Sequence, residues 1–294
     1  MMNEHLQQKI VRARDILHDL RSVIVAYSGG VDSAFVLKLA VETLGSENVL
    51  AVTGRSAAVP QEEIEGARRL AGDIGVEHLV IETDEFENPD YVANPTNRCY
   101  YCKSTLYTRL EEIRGERGFF AVVNGTNADD LGDYRPGLSA AEEFKVRAPA
   151  AEAGLTKSEV REWSRCFGLP TFDKPASPCL SSRVQYGETI TPEKLRMIEA
   201  AEAFLREEFG IRECRVRHHD RLARIEVPLR DIPTLADPIN AAKLDRRLRD
   251  IGYQYVTLDL RGFRSGSMNE VIAFGQRQPS MEGRGPRRES EPAL

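Results

Sequence analysis

The chain has 294 residues, 41% of them hydrophobic and 29% charged, with 40 basic against 46 acidic side chains and a formal net charge of −6. That length suggests one large domain or two modest ones, and the balance fits a soluble globular protein. No apolar run approaches the ~18–20 residues of a membrane span, and five scattered cysteines are too few for a secreted disulfide framework.

The opening segment MMNEHLQQKIVRARDILHDL is charged and helical in pattern, unlike a signal peptide, so a cytoplasmic location is expected. Residues 23–27 read as a buried strand and 33–44 as a helix. A strand at 49–53, a helix at 60–74 opened by a proline and a strand at 78–82 follow. Residues 104–114 read as a helix and 119–123 as a strand. A helix at 156–167 has a capping-box start in Thr156 and Glu159, and Gly168-Leu169-Pro170 stops it. Strands alternating with helices predict a doubly wound parallel α/β sheet over residues 1–175.

Residues 176–190 hold proline and several small residues and read as a linker carrying Cys179. Beyond them the pattern becomes helix 192–209, strands 213–217 and 222–227, helix 238–251 and strand 255–260. This predicts a smaller α+β domain over 191–276 for substrate binding or oligomerisation. Residues 277–294 lack hydrophobic pattern and are expected to be disordered. The charge is uneven. Residues 1–204 carry 23 basic and 32 acidic side chains, whereas residues 205–264 carry 13 and 10. An acidic front half argues against general nucleic-acid binding, while the Arg-rich segment suits a small anion.

The strongest motif is Ser28-Gly29-Gly30-Val31-Asp32-Ser33, between a predicted strand and helix. Glycines let the backbone turn tightly there, so that amide N–H groups and a helix N-terminus face an anion. Ser28 and Ser33 add hydroxyl donors, and Asp32 is a candidate magnesium ligand. The loop lacks the Lys of GxxxxGK[ST] and does not match GxGxxG. Asn124-Gly125-Thr126-Asn127-Ala128-Asp129-Asp130 follows another strand at the carboxyl edge where α/β sheets bind ligands. Gly125, Thr126 and Asp129 are candidate nucleotide contacts, and a polar turn is the plainer reading of either aspartate.

A second constellation is Asn97-Arg98-Cys99-Tyr100-Tyr101-Cys102-Lys103, with Cys179 far downstream. CxxC alone is open to three readings: a redox dithiol, half of a zinc site or a set of cluster ligands. Arg98 and Lys103 add positive charge expected to lower the thiol pKa values. Cys166 and Cys214 are expected to be packing residues. Arg215 and Arg217 alternate on one strand face and by themselves read as a solvated basic strand with a surface salt bridge; the family resemblance given below favours a phosphate there, with Glu226 on the next strand orienting them or contacting metal.

SGGVDS resembles the loop of the PP-loop ATP pyrophosphatases. Together with NRCYYCK at 97–103, GTNADDLGDYRPG at 125–137, SPCLSSR at 177–183, RVR at 215–217, ARIEV at 223–227 and GFRSGSMNE at 262–270, it resembles the LarE family to about residue 276. These are ATP-dependent sulfur transferases of nickel-pincer nucleotide biosynthesis. The resemblance implies an adenine nucleotide alpha hydrolase-like fold. It also implies adenylation, with ATP and Mg2+, of the carboxylates of pyridinium-3,5-biscarboxylic acid mononucleotide, followed by conversion to thiocarboxylates. Cys99, Cys102 and Cys179 match the branch that holds a [4Fe–4S] cluster whose unique iron carries an extra sulfide. The other branch takes sulfur from one cysteine at the position of Cys179.

The implied site therefore comprises Cys179, Lys103 and Asp32 as catalytic residues and 28–33 with Gly125, Thr126 and Asp129 around ATP. Arg183, Arg215, Arg217 and Glu226 are placed around the substrate phosphate. The expected partners are that anionic mononucleotide and a sulfide donor, in a homo-oligomer, without nucleic acid or membrane. Three rivals stand beside this reading: a PP-loop tRNA thiolase, a synthetase using ammonia, and a non-catalytic nucleotide- and metal-binding redox sensor.

Overall fold

The computed structural model describes residues 4–132, 136–175 and 177–264. The chain begins with α1 (Glu4–Leu20), whose Leu6, Ile10, Ala13, Leu17 and Leu20 recur every three or four residues and are all buried. Next come β1 (Val23–Ala26), α2 (Val31–Leu44), β2 (Val49–Arg55), α3 (Gln61–Ile74) and β3 (Glu77–Glu82). They are followed by α4 (Pro89–Val92), α5 (Arg98–Arg117), β4 (Ala121–Val123), α6 (Pro136–Glu143), α7 (Pro149–Glu152) and α8 (Lys157–Cys166).

The four strands form one parallel sheet in the order β3-β2-β1-β4, with Val23 of β1 opposite Val49 on one side and Ala121 on the other. Central strands of such a sheet are covered on both faces and are correspondingly apolar throughout. Val23 and Val25 face the core made with α1, α2, α3 and α8, while Ile24 joins Leu50 and Val52 against Tyr107, Leu110 and Ile113 of α5. The alternation along one strand thus sends successive side chains into two different cores. The predicted α/β architecture is what the structure has.

The second part contains α9 (Pro192–Phe209), β5 (Arg215–His219), β6 (Leu222–Glu226), α10 (Ile232–Ala236), α11 (Pro238–Ile251) and β7 (Tyr255–Leu258). Its small sheet has the order β5-β6-β7, antiparallel between the first pair and parallel between the second. Ala201 and Leu205 of α9 and Leu244 and Leu248 of α11 bury one face of it. A further apolar cluster joins Ala58, Tyr91, Leu180, Val184, Ile190, Leu195 and Ile198, so the linker region is packed and not a loose spacer.

Two element boundaries matter for the chemistry. The helix predicted at 104–114 begins at Arg98, which places the whole CxxC segment on its first turns. The capping box at Thr156 forms as expected, with Glu159 returning its side chain to the Thr156 amide. The expectations for the 265–276 segment, including most of the RSGSMNE motif, and for the 277–294 tail fall outside the described residues.

Candidate active site

The pyrophosphate-type loop, the 125–130 segment, Ser56, Glu85 and the turn into α5 all follow the carboxyl ends of the parallel strands, where open α/β sheets hold ligands. Gly29 has φ +70, and a Cβ there would stand 2.9 Å from the Cβ of Ala67. Only glycine satisfies both demands. Gly30 is the N-cap of α2 and supplies no side-chain cap, so the helix presents its first amides outward. The Ser33 hydroxyl accepts the Ser28 amide at 3.2 Å and lies 3.1 Å from Ser28 Oγ, which ties the loop closed. Val31 begins the helix and is buried beneath it.

Gly125 brings the second loop against the first. A Cβ at that position would meet Ser33 N at 2.6 Å and the Asp32 carbonyl carbon at 2.8 Å. Asn124 Oδ1 accepts the Thr126 amide at 3.0 Å, and Asn127 Nδ2 donates to Asp32 Oδ1 at 3.3 Å. Asp129 accepts the Lys157 amide at 2.9 Å. Thus Asp32, Gly125, Thr126 and Asp129 share one locality.

Two lysines escaped the sequence reading. Lys157 pairs with Asp32 through its ammonium group. Lys174 donates to Glu63 at 2.6 Å and to the Gly29 carbonyl at 3.3 Å. Both reach the loop across more than a hundred residues, so no local pattern announces them.

The cysteines come from two segments. Cys99 and Cys102 are three apart on α5 and share a face. Cys179 caps a 3-10 turn, Leu180–Arg183, and packs with Cys102 against the cluster that joins Tyr91 and Leu180. Each of the three thiols lies within electrostatic reach of the other two. The thiol pKa values run opposite to the expected lowering. Burial and then the Glu85 carboxyl push Cys102 up, and burial followed by Cys179 raises Cys99 despite neighbouring Arg98 and Lys103. Desolvation outweighs the two cations.

Lys103 sits among the three thiols with Nζ 5.9 Å from the Tyr107 ring centre. Burial opposes its charge, but Tyr107 and the three cysteines together hold its pKa above the usual lysine value. Among the described residues, no three His, Cys, Asp or Glu side chains are grouped to hold a single metal ion. Cys214 is buried as expected, whereas Cys166 is exposed on α8 and does not belong to the core.

Arg183 differs most from its expected place. It is 2% exposed, and Glu202 takes its Nε and Nη2 at 2.8 and 2.9 Å. Its Nη1 donates to the carbonyls of Pro178 and Cys179 at 2.6 and 3.1 Å. That guanidinium holds the Cys179 turn in shape and has little left to offer a phosphate.

Arg217 donates to Glu226 at 2.7 Å and to the Ser182 carbonyl at 2.9 Å, and Arg224 also reaches Glu226. Glu226 thus pairs with Arg217 and with Arg224. Arg215 lies with its guanidinium carbon 5.2 Å from the Phe263 ring centre, and burial with the nearby Arg183 charge brings its pKa down to about 10. Such crowding of cations favours a bound anion.

The NAD synthase family matches residues 5–91. An NH3-dependent NAD+ synthetase of Methanococcoides burtonii is 39% identical over 82 residues, covering 24% of this chain and 31% of that protein. An uncharacterised protein of Synechocystis is 45% identical over 91% of this chain and 99% of its own. The pyridinium-3,5-bisthiocarboxylic acid mononucleotide synthase of Lactiplantibacillus plantarum is 40% identical over 88% of this chain and 93% of that enzyme. The chain belongs to the LarE family. LarE proteins are ATP-dependent sulfur transferases, and the strand–loop–helix at Ser28–Ser33 lies within the stretch that the NAD synthase family matches. Among the described residues, no helix is long and apolar enough to cross a membrane.

Proposed function

We propose that this LarE protein adenylates the carboxylates of pyridinium-3,5-biscarboxylic acid mononucleotide and converts them to thiocarboxylates, in the cytoplasm, as a homo-oligomer, using a separate sulfide donor. The observation that carries the reading is the gathering of Cys99, Cys102 and Cys179 at the same sheet edge as the nucleotide loop.

In the first half-reaction the α2 N-terminus and the Ser28 and Ser33 hydroxyls receive ATP phosphates. Asp32, paired with Lys157 in the structure, would hold a magnesium ion, which would offset the phosphate charge. A substrate carboxylate oxygen then bonds to the α-phosphorus as the bond to pyrophosphate breaks. In the second half-reaction sulfur adds to the acyl carbon, and the carbon–oxygen bond breaks with its electron pair leaving on AMP. Adenylation is needed because a free carboxylate resists nucleophiles. Arg215 binds the substrate phosphate, and Arg217, whose Nη atoms are taken by Glu226 and the Ser182 carbonyl, adds positive charge beside it.

Three thiols flanked by Arg98 and Lys103 fit a three-cysteine [4Fe–4S] ligand set. A lone zinc ion would need its sulfurs about 2.3 Å from one centre, whereas a cluster gives each thiolate its own iron. When bound, the cluster supplies an iron position for the transferable sulfide. Anaerobic purification followed by iron and acid-labile sulfide assay tests this, together with the mass of the Cys179 peptide after turnover. Iron with sulfide and an unchanged peptide are expected. Stoichiometric zinc contradicts the cluster, and a peptide lacking its sulfur shows Cys179 to be the sacrificed donor.

A further inference from the structure

Arg98 is 4% exposed, yet among the described residues no carboxylate pairs with it. Its Nη1 donates to Asn94 Oδ1 at 2.6 Å and to the Ser181 carbonyl at 2.8 Å, and its guanidinium lies 5.7 Å from the Tyr186 ring centre. Asn94 is fully buried with φ +54 and donates in turn to the carbonyls of Val184 and Gln185 at 3.3 and 2.7 Å. Its own carbonyl accepts the Gly187 amide at 2.9 Å. The Tyr91 hydroxyl lies 2.7 Å from Ser181 Oγ. These contacts sew the turn just before Cys99 to the turn just after Cys179.

A buried cation with neutral partners is costly unless something anionic faces it. Arg98 is adjacent in sequence to Cys99 and lies within the electrostatic reach of Cys179. We infer that Arg98 and Asn94 are positioning residues that dock the Cys179 turn against the CxxC helix, so that thiols from two distant segments meet at one centre. The inference rests on the sulfur-transfer reading for its purpose, but its geometry is independent of it.

The test bridges thiols in the reduced full-length protein with dibromobimane and maps the links by peptide mass. In the parent protein, links join Cys179 to Cys99 or Cys102, and Cys214 resists alkylation. Arg98→Lys keeps the charge but loses the planar fork. It is expected to lower the Cys179 links at least tenfold while links between Cys99 and Cys102 persist. Retention of parental Cys179 links in Arg98→Lys overturns the inference. If Arg98→Lys exposes Cys214 and so unfolds, Asn94→Gly, which tolerates the positive φ, is read by the same criteria and decides the matter. Loss of Cys179 links in a protein shown to make no thiocarboxylate would uphold the docking and remove the functional reading.

Discussion

The nucleotide loop and the thiol centre lie at the same edge of the sheet but are built by different means. The loop is local. Six consecutive residues, one positive φ at Gly29 and one uncapped helix end produce it, and Gly125 needs only to approach. The thiol centre is assembled from segments some eighty residues apart, held by Arg98, Asn94 and Arg183 through backbone carbonyls. A tight turn and an open helix end can thus be specified by a short motif, whereas docking the Cys179 turn beside the CxxC helix requires long-range hydrogen bonds with buried partners.

The sharpest way to separate the two regions is Cys179→Ser. Thiocarboxylate formation should disappear, while pyrophosphate release with ATP and the bis-carboxylate nucleotide continues. Product detected by mass at the parental rate would remove Cys179 from the sulfur step. The converse variant, Asp32→Ala, should lower pyrophosphate release by roughly 10²–10³-fold, the scale of losing a group that stabilises transition-state charge, with bimane links among the cysteines unchanged. Undiminished release would take Asp32 out of the metal site.

A third variant probes the support of the thiol turn. Glu202→Ala strands the buried Arg183 guanidinium, which should destabilise the fold by about 3–5 kcal/mol in urea unfolding, as when one partner of a buried ion pair is removed. A change below about 1 kcal/mol would place the pair among the weak surface type.

The smallest effect concerns pH. Burial, followed by the Lys194 charge, holds the His218 pKa down to about 4, and the ring lies 3.3 Å from the Tyr253 hydroxyl. The folded state therefore favours neutral His218. That contribution is fully present above the unfolded value of about 6.5 and is lost as pH falls toward about 4. Urea midpoints should decline across that window, and His218→Gln should flatten part of the decline. An unchanged slope in the variant would assign the dependence elsewhere.

Much of the parallel domain was readable because buried parallel strands announce themselves as short β-branched runs and their helices by caps. Thr156 with Glu159 is the clearest case. The early start of α5 was less readable, since Asn97 makes no side-chain cap and Tyr100-Tyr101 interrupt the helical pattern. Charge alone misled at the thiols. Arg98 and Lys103 suggested acidic thiols, but the sequence carries no direct measure of desolvation, and burial decides the direction. The family resemblance placed Arg183 at the substrate phosphate, whereas its acceptor Glu202, nearly three turns into α9, could not be read from the local sequence. Cys166 looked internal, yet its place on α8 faces outward.

In the proposed reaction, one protein couples ATP cleavage to sulfur insertion in a carboxylate. Its most direct test is anaerobic turnover with ATP, magnesium, pyridinium-3,5-biscarboxylic acid mononucleotide and sulfide, with products measured by mass. The thiocarboxylated mononucleotide is expected together with AMP and pyrophosphate. AMP and pyrophosphate with an amide formed from ammonia, or no product mass gain from sulfur, would contradict it.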